Sequence, residues 1–169
     1  MIRVVRINYD DLIKEYTSFL DYAIDSSDFI SLITYQIKPF ITDNLMCEHD
    51  KELSLIKTYL KRQIVGIRKW SNNGTKNSHA VMNIYLCSKK LKRDISTLGN
   101  FLLPQDDNLP EDIGFYKKNR IWIATVSHEK LAFLYEPSER DIAFLKTLKV
   151  RYCVMNGDME IFKLPIVTK

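Results

Sequence analysis

Apolar positions alternate most clearly between Ile113 and Tyr135. The stretch reads as three consecutive strands: Ile113 to Lys117, Ile121 to Val126, and Lys130 to Tyr135. Turns fall at Lys118-Asn119 and at Ser127-His128-Glu129. On the middle strand, strict alternation sends Ile121, Ile123 and Thr125 one way and Trp122, Ala124 and Val126 the other. Both sets are apolar, which places this strand inside a sheet covered on both sides. The third strand is also apolar on both faces, with Leu131, Phe133 and Tyr135 against Ala132 and Leu134.

The same reading extends along the chain. Ile2 to Ile7 forms a short strand. Asn8 or Asp10 then caps a helix over Asp11–Ile24, whose Leu12, Tyr16, Phe19, Leu20 and Ala23 fall at helical spacing. Asp10, Asp11 and Glu15 sit in its first turns, where the helix dipole favours negative charge. Residues 29–37 suit either period, and their β-branched and aromatic content favours a strand ended by Pro39. A helix is predicted over Lys51–Gln63, with Leu53, Ile56, Leu60 and Ile64 on one side. Extended chain follows over Ile64–Trp70, then a polar loop with a turn at Asn73-Gly74, then a strand over Ala80–Cys87. Ser88 caps a short basic helix that carries Leu91, Ile95 and Leu98 inward and stops at Gly99. Pro104 to Glu111 is a surface loop. Ser138 caps a helix over Glu139–Leu148, and Asn156-Gly157 is the strongest local signal for a hairpin.

These elements imply an α+β fold over residues 1–169 as a single globular domain: a mainly antiparallel sheet with two to four helices packed mostly on one face. A domain of this size buries roughly 70% of its unfolded surface and needs no metal or disulfide to fold. Three cysteines at wide spacing, Cys47, Cys87 and Cys153, do not form a secreted disulfide framework, and the last two read as core thiols. The N-terminal residues lack the apolar core of a signal peptide, and no apolar run approaches the roughly 18 residues of a membrane span. A cytoplasmic protein with no membrane partner is expected.

Charge changes this picture more than composition does. The net charge is +4. Residues 8–52 hold ten acids against three bases, a net of −7. Residues 53–93 hold ten bases and no acid, and residues 94–112 hold five acids and no base. Either the two signs face each other in the fold, or the basic segment presents a patch to an anionic partner.

The candidate chemistry is sparse. Ser127-His128-Glu129 is no catalytic triad, because adjacent residues of an extended chain point to opposite faces. Cys47-Glu48-His49-Asp50 lacks the paired spacing of a zinc site. The carboxylates Asp106, Asp107, Glu111 and Asp112 lie on a loop that solvation alone accounts for. Gly74-Thr75-Lys76 lacks the earlier glycine of a phosphate-binding loop. No catalytic residue, cofactor or metal is therefore assigned.

The best candidate is the segment holding Lys61, Arg62, Arg68, Lys69, Trp70, Lys76 and His79. There, bases beside an exposed Trp70 could grip phosphates and stack a base. No RNP1 pattern, GXXG clamp or zinc finger accompanies it. The leading expectation is a non-enzymatic intracellular binding protein with an unknown protein partner, such as an immunity- or antitoxin-like inhibitor or a small regulatory partner. One alternative is nucleic-acid or phosphate binding through residues 57–93. The other is a small enzyme using His79 or His128.

Overall fold

The computed structural model describes residues 2–36, 50–70, 73–75, 79–98, 111–157 and 161–165. In chain order the elements are β1 (Ile2–Asn8), α1 (Tyr9–Lys14), α2 (Tyr16–Asp25), β2 (Phe29–Tyr35), α3 (Asp50–Leu53), a 3₁₀ turn (Ser54–Tyr59), β3 (Leu60–Val65), β4 (Lys69–Trp70), β5 (Asn73–Gly74), β6 (Ala80–Leu86), α4 (Lys89–Ser96), β7 (Glu111–Lys117), β8 (Arg120–Val126), β9 (Leu131–Tyr135), α5 (Glu139–Thr147) and β10 (Tyr152–Gly157). Eight strands form one antiparallel sheet in the order β10-β1-β9-β8-β7-β2-β6-β3, and β4 and β5 form a separate two-stranded ribbon. The fold is α+β, as the sequence implies.

The three patterned strands are β7, β8 and β9 in the middle of the sheet, and every residue of β8 beyond Arg120 is buried. Buried apolar residues contributed by helices and by the 3₁₀ turn, among them Leu12, Phe19, Leu20, Ile56, Leu91, Ile95 and Leu145, all belong to one apolar cluster. The helices therefore cover one face. On the other face Val4, Phe29, Met82, Ile84, Tyr116, Ala124 and Phe133 pack with Trp70 and Leu164, which come from β4 and the segment 161–165. That segment is tied to the sheet centre: Ile121 N–H donates to Phe162 O at 2.9 Å and Leu164 N–H to Asn119 O at 2.8 Å.

Local chemistry explains several element ends. Asn8 caps α1 by accepting from Asp11 N–H at 3.0 Å. Ser88 caps α4 by accepting from Leu91 N–H at 3.0 Å. Lys118 and Asn119 both have positive φ, 49° and 62°, as a two-residue type I′ hairpin requires. α5 ends in a Schellman motif, with Val150 N–H donating to Leu145 O and Lys149 N–H to Lys146 O.

Several expectations give way to tertiary pairing. The helix expected over Lys51–Gln63 is only α3 plus a 3₁₀ turn, and Leu60–Val65 is a strand. Leu53 and Ile56 pack under the helical face, whereas Ile64 packs on the opposite one. A single helical stripe cannot do both, and pairing with β6 decides the outcome. The helix expected over Asp11–Ile24 is interrupted at Glu15 (φ −103°), which separates α1 from α2.

Neither Asn-Gly pair makes a turn. Asn73 and Gly74 pair with Trp70 and Lys69, and Asn156 and Gly157 pair with Arg3 and Ile2 of β1. Strict alternation in β8 also fails. Phe115 pairs with Ile123 but Tyr116 pairs with Ile121, so Trp122 is the extra residue of a β-bulge. Trp122 and Ile123 consequently both join the helix-side cluster, while Ile121 and Ala124 join the other. Cys153 is exposed rather than a core thiol, because β10 is an edge strand, and Cys87 is half-buried. Cys47, Glu48, His49, Gly99, Asp106 and Asp107 lie outside the described residues.

Candidate binding surface

β3 closes one end of the sheet, with β6 as its only strand neighbour among the described residues. Gln63 Nε2 donates to Asn83 Oδ1 at 2.7 Å, and Asn83 Nδ2 donates to Thr34 Oγ1 at 2.9 Å, so side chains fix β3 to β6 and β2. Its pairing slips between Leu60 and Arg62. Lys61 and Arg62 are both exposed there.

The preceding 3₁₀ turn carries exposed Lys57 and packs on α4, where the Tyr59 hydroxyl donates to Asp94 Oδ2 at 2.5 Å. That bond, with a second from Arg93 at 3.0 Å, holds the Asp94 carboxyl below its ordinary range. α4 presents exposed Lys89 and Lys90. Lys57, Lys61, Arg62, Lys89 and Lys90 thus lie on three adjoining elements, none of them in an ion pair among the described residues. Some opposite charges do face each other, since Lys92 pairs with Asp25 at 2.7 Å and Arg151 with Asp11 at 2.7 Å.

The rest of the expected set divides. Arg68 and Lys69 are exposed at β4, and His79 is half-buried beside β6, its carbonyl accepting from Gln36 N–H at 2.8 Å. Lys76 lies outside the described residues. Trp70 is 2% exposed, so the expectation of an exposed stacking platform fails. The ribbon that carries it is tight. A Cβ on Gly74 would lie 2.8 Å from Arg68 O, which explains the glycine.

Trp70 Nε1 donates to Asp112 Oδ2 at 2.8 Å, and Ser127 N–H donates to Asp112 Oδ1 at 2.8 Å. Asp112 N–H returns a bond to Ser127 Oγ at 3.2 Å. Asp112 holds φ at 46°, a left-handed conformation that aspartate tolerates better than most residues. Tyr9 also belongs to this interior: burial first, then the Asp112 charge, raises its pKa against a lowering by Ser127. Both carboxylate oxygens of Asp112 are occupied, and the Ser127 hydroxyl serves the backbone. His128 is exposed with its Nε2 3.8 Å from Glu129 Oε1, beyond hydrogen-bond reach. This cluster holds strands together and does not assemble a nucleophile with a base.

A second polar cluster sits under α5. Asp141 Oδ1 accepts from the Tyr22 hydroxyl at 2.6 Å and lies 3.8 Å from Lys117 Nζ; Oδ2 accepts from Ser138 N–H and Oγ, each at 2.7 Å. Burial opposes ionisation of Asp141, but these donors outweigh it and bring its pKa down. Burial, then Asp141 itself, pushes the Tyr22 hydroxyl up to about 12. Lys117 Nζ stands 3.2 Å from the Trp122 ring centroid, and burial lowers its pKa against the attraction of Asp141. The Ser138-x-x-Asp141 capping box was available in the sequence as a signal for part of this cluster. The contacts to Tyr22 and Lys117 had no local signal.

An open groove of about 360 Å³ runs past the other end of the sheet, lined by Arg6, Asn8, Asp10, Lys130, Arg151 and Cys153 among others. Arg151 is committed there, clamping Asp11 through Nε at 2.7 Å and Nη2 at 3.0 Å. These bonds draw the Asp11 pKa down to about 2. Among the described residues no helix is long and apolar enough to cross a membrane, and no three His, Cys, Asp or Glu side chains converge as a metal site would need. No family model, curated protein or solved structure matches this chain.

Proposed function

We propose that the protein acts by binding another protein, without catalysing a reaction, through the basic rim of β3, the 3₁₀ turn and α4. The observation that carries this reading is the set Lys57, Lys61, Arg62, Lys89 and Lys90, exposed on adjoining elements and outside any ion pair among the described residues. Complementary charge speeds encounter and excludes partners of the same sign, so the rim selects an acidic surface. Burial of Trp70 favours a protein over a nucleic acid, because stacking of bases on this segment requires an exposed ring. The role that fits is an inhibitor or small regulatory partner, of the immunity or antitoxin kind, that occludes or steadies its target.

The test is capture from native extract at low and moderate salt, with and without nuclease, using the wild type and a Lys61→Glu/Arg62→Glu/Lys89→Glu variant. A protein retained after nuclease treatment, weakened by salt and lost with charge reversal supports the proposal. Capture that disappears with nuclease transfers the rim to nucleic acid. Absence of any capture at low salt removes both readings.

A further inference from the structure

The two ends of the sheet are built differently. β3 carries the devices that keep an edge unpaired: exposed Lys61 and Arg62, and an irregular register beside them. β10 carries none of these. Tyr152, Cys153, Val154, Met155, Asn156 and Gly157 include no charged residue and no proline, and their register on β1 is regular throughout. Val154 is 47% exposed.

Which backbone groups face outward follows from the pairing. Asn8 N–H donates to Arg151 O at 2.8 Å, in line with the β1–β10 register. Hydrogen-bonded and non-bonded pairs alternate along an antiparallel ladder. Cys153, Met155 and Gly157 therefore turn their N–H and C=O groups to β1, and Tyr152, Val154 and Asn156 turn theirs to the open side. No strand covers that side among the described residues.

We propose that two copies of this chain pair β10 to β10, antiparallel, about a two-fold axis through Val154. In this register Val154 exchanges both backbone bonds with Val154 of the partner subunit. Tyr152 pairs with the partner's Asn156, and Asn156 with the partner's Tyr152. A second copy is the occupant that this edge suits. An uncharged strand meets its own image without like-charge repulsion, and the three outward residues are spaced symmetrically about Val154. The isologous contact uses up the unguarded edge of both subunits and closes as a dimer, whereas β10 on a neighbour's β3 would propagate as a filament and meet its guarded edge. On one face the two exposed Val154 side chains pack together. On the other, Cys153 lies opposite Met155 of the partner subunit. The two Cys153 residues are offset by two positions along the strands, about 8 Å apart from strand spacing and rise, too far for a disulfide.

Sedimentation velocity over a range of concentrations, under reducing conditions, reads the association. The wild type is expected to dimerise, and Val154→Lys, which places two like charges at the axis, to remain monomeric with an unchanged circular dichroism spectrum. Val154→Pro removes one outward N–H and serves as a second disrupting variant. The register is read separately. Oxidised Met155→Cys is expected to form an intermolecular disulfide with Cys153 of the partner subunit, while the oxidised wild type does not. A wild type that stays monomeric at every concentration overturns the proposal, as does a dimer that Val154→Lys leaves intact. Cross-linking of the wild type through Cys153 overturns the register. The Lys61→Glu/Arg62→Glu/Lys89→Glu variant changes none of these readouts, so the basic rim and the β10 edge succeed or fail independently.

Discussion

The indole N–H of Trp70 donates at 2.8 Å to Asp112 Oδ2, with both residues 2% exposed. The contact joins the short β4–β5 ribbon to the start of β7 and turns the residue with the most obvious ligand-stacking character into a structural tie. Trp70→Phe removes one donor from a buried carboxylate, and about 1–3 kcal/mol of stability is expected to be lost. Urea denaturation measures it as a lower midpoint at unchanged slope. In a Trp122→Phe background, the remaining emission should resist iodide quenching and stay unchanged when an oligonucleotide is added. Strong quenching by either would place Trp70 at the surface.

Asp141 predicts an acid-labile contribution to stability. Its pKa is lowered in the fold, so the native state binds fewer protons than the unfolded chain near its ordinary value of 3.8. The contribution is therefore full above that value and is lost as pH falls through the lower folded pKa. Asp141→Asn should cost about 1–3 kcal/mol at neutral pH, since an amide cannot accept from Tyr22 and Ser138 as the carboxylate does. The gap between variant and wild type should close below pH 3.8. A gap independent of pH would show that charge at Asp141 is irrelevant.

Asp11 and Arg151 offer the same test at an exposed site. Arg151 draws the Asp11 pKa down to about 2, so the pair supports the fold above the ordinary 3.8 and is lost between these values. Carboxyl titration by NMR should return Asp11 to its ordinary range in Arg151→Met. Asp11 is half-buried but its partner Arg151 is largely open to water, and solvent screening of the guanidinium makes this a titration signature and not a large stability effect.

Lys149 closes the Schellman motif of α5 with φ at 55°, a position where glycine is the usual residue. Lys149→Gly should raise the melting temperature, with a gain of about 0.5–1 kcal/mol once glycine's own backbone entropy is subtracted. A fall in melting temperature would mean that the lysine side chain contributes more than its backbone costs.

Patterns held within one element were legible in the sequence. The caps Asn8, Ser88 and Ser138, the Lys118-Asn119 turn, the strands β1, β2 and β6, and the three central strands, two of them apolar on both faces, all follow from local spacing. What depended on a neighbour was hidden. Asn156-Gly157 has the chemistry of a turn, but β1 offers it a ladder. Leu60 and Ile64 have the spacing of a helix, but they contact opposite faces of the sheet. Trp122 keeps step with its neighbours in sequence yet occupies a bulge opposite Tyr116.

The candidate surface was legible as a run of bases without acids, because that property needs no partner. The fate of Trp70 was not, because Asp112 belongs to a distant strand and nothing near Trp70 announces it.

The place of β1 in the sheet bears on how the chain is made. It lies between β9 and β10, pairing Val4 with Tyr135 on one side and Ile2 with Gly157 on the other. On a ribosome β1 emerges well before β9 and β10, and neither of its edges is closed until they follow. Until then it remains an open template, and pairing across so long a loop is slow. A product truncated before β9 would keep that template exposed, so early termination of this chain should yield aggregates rather than a smaller folded core.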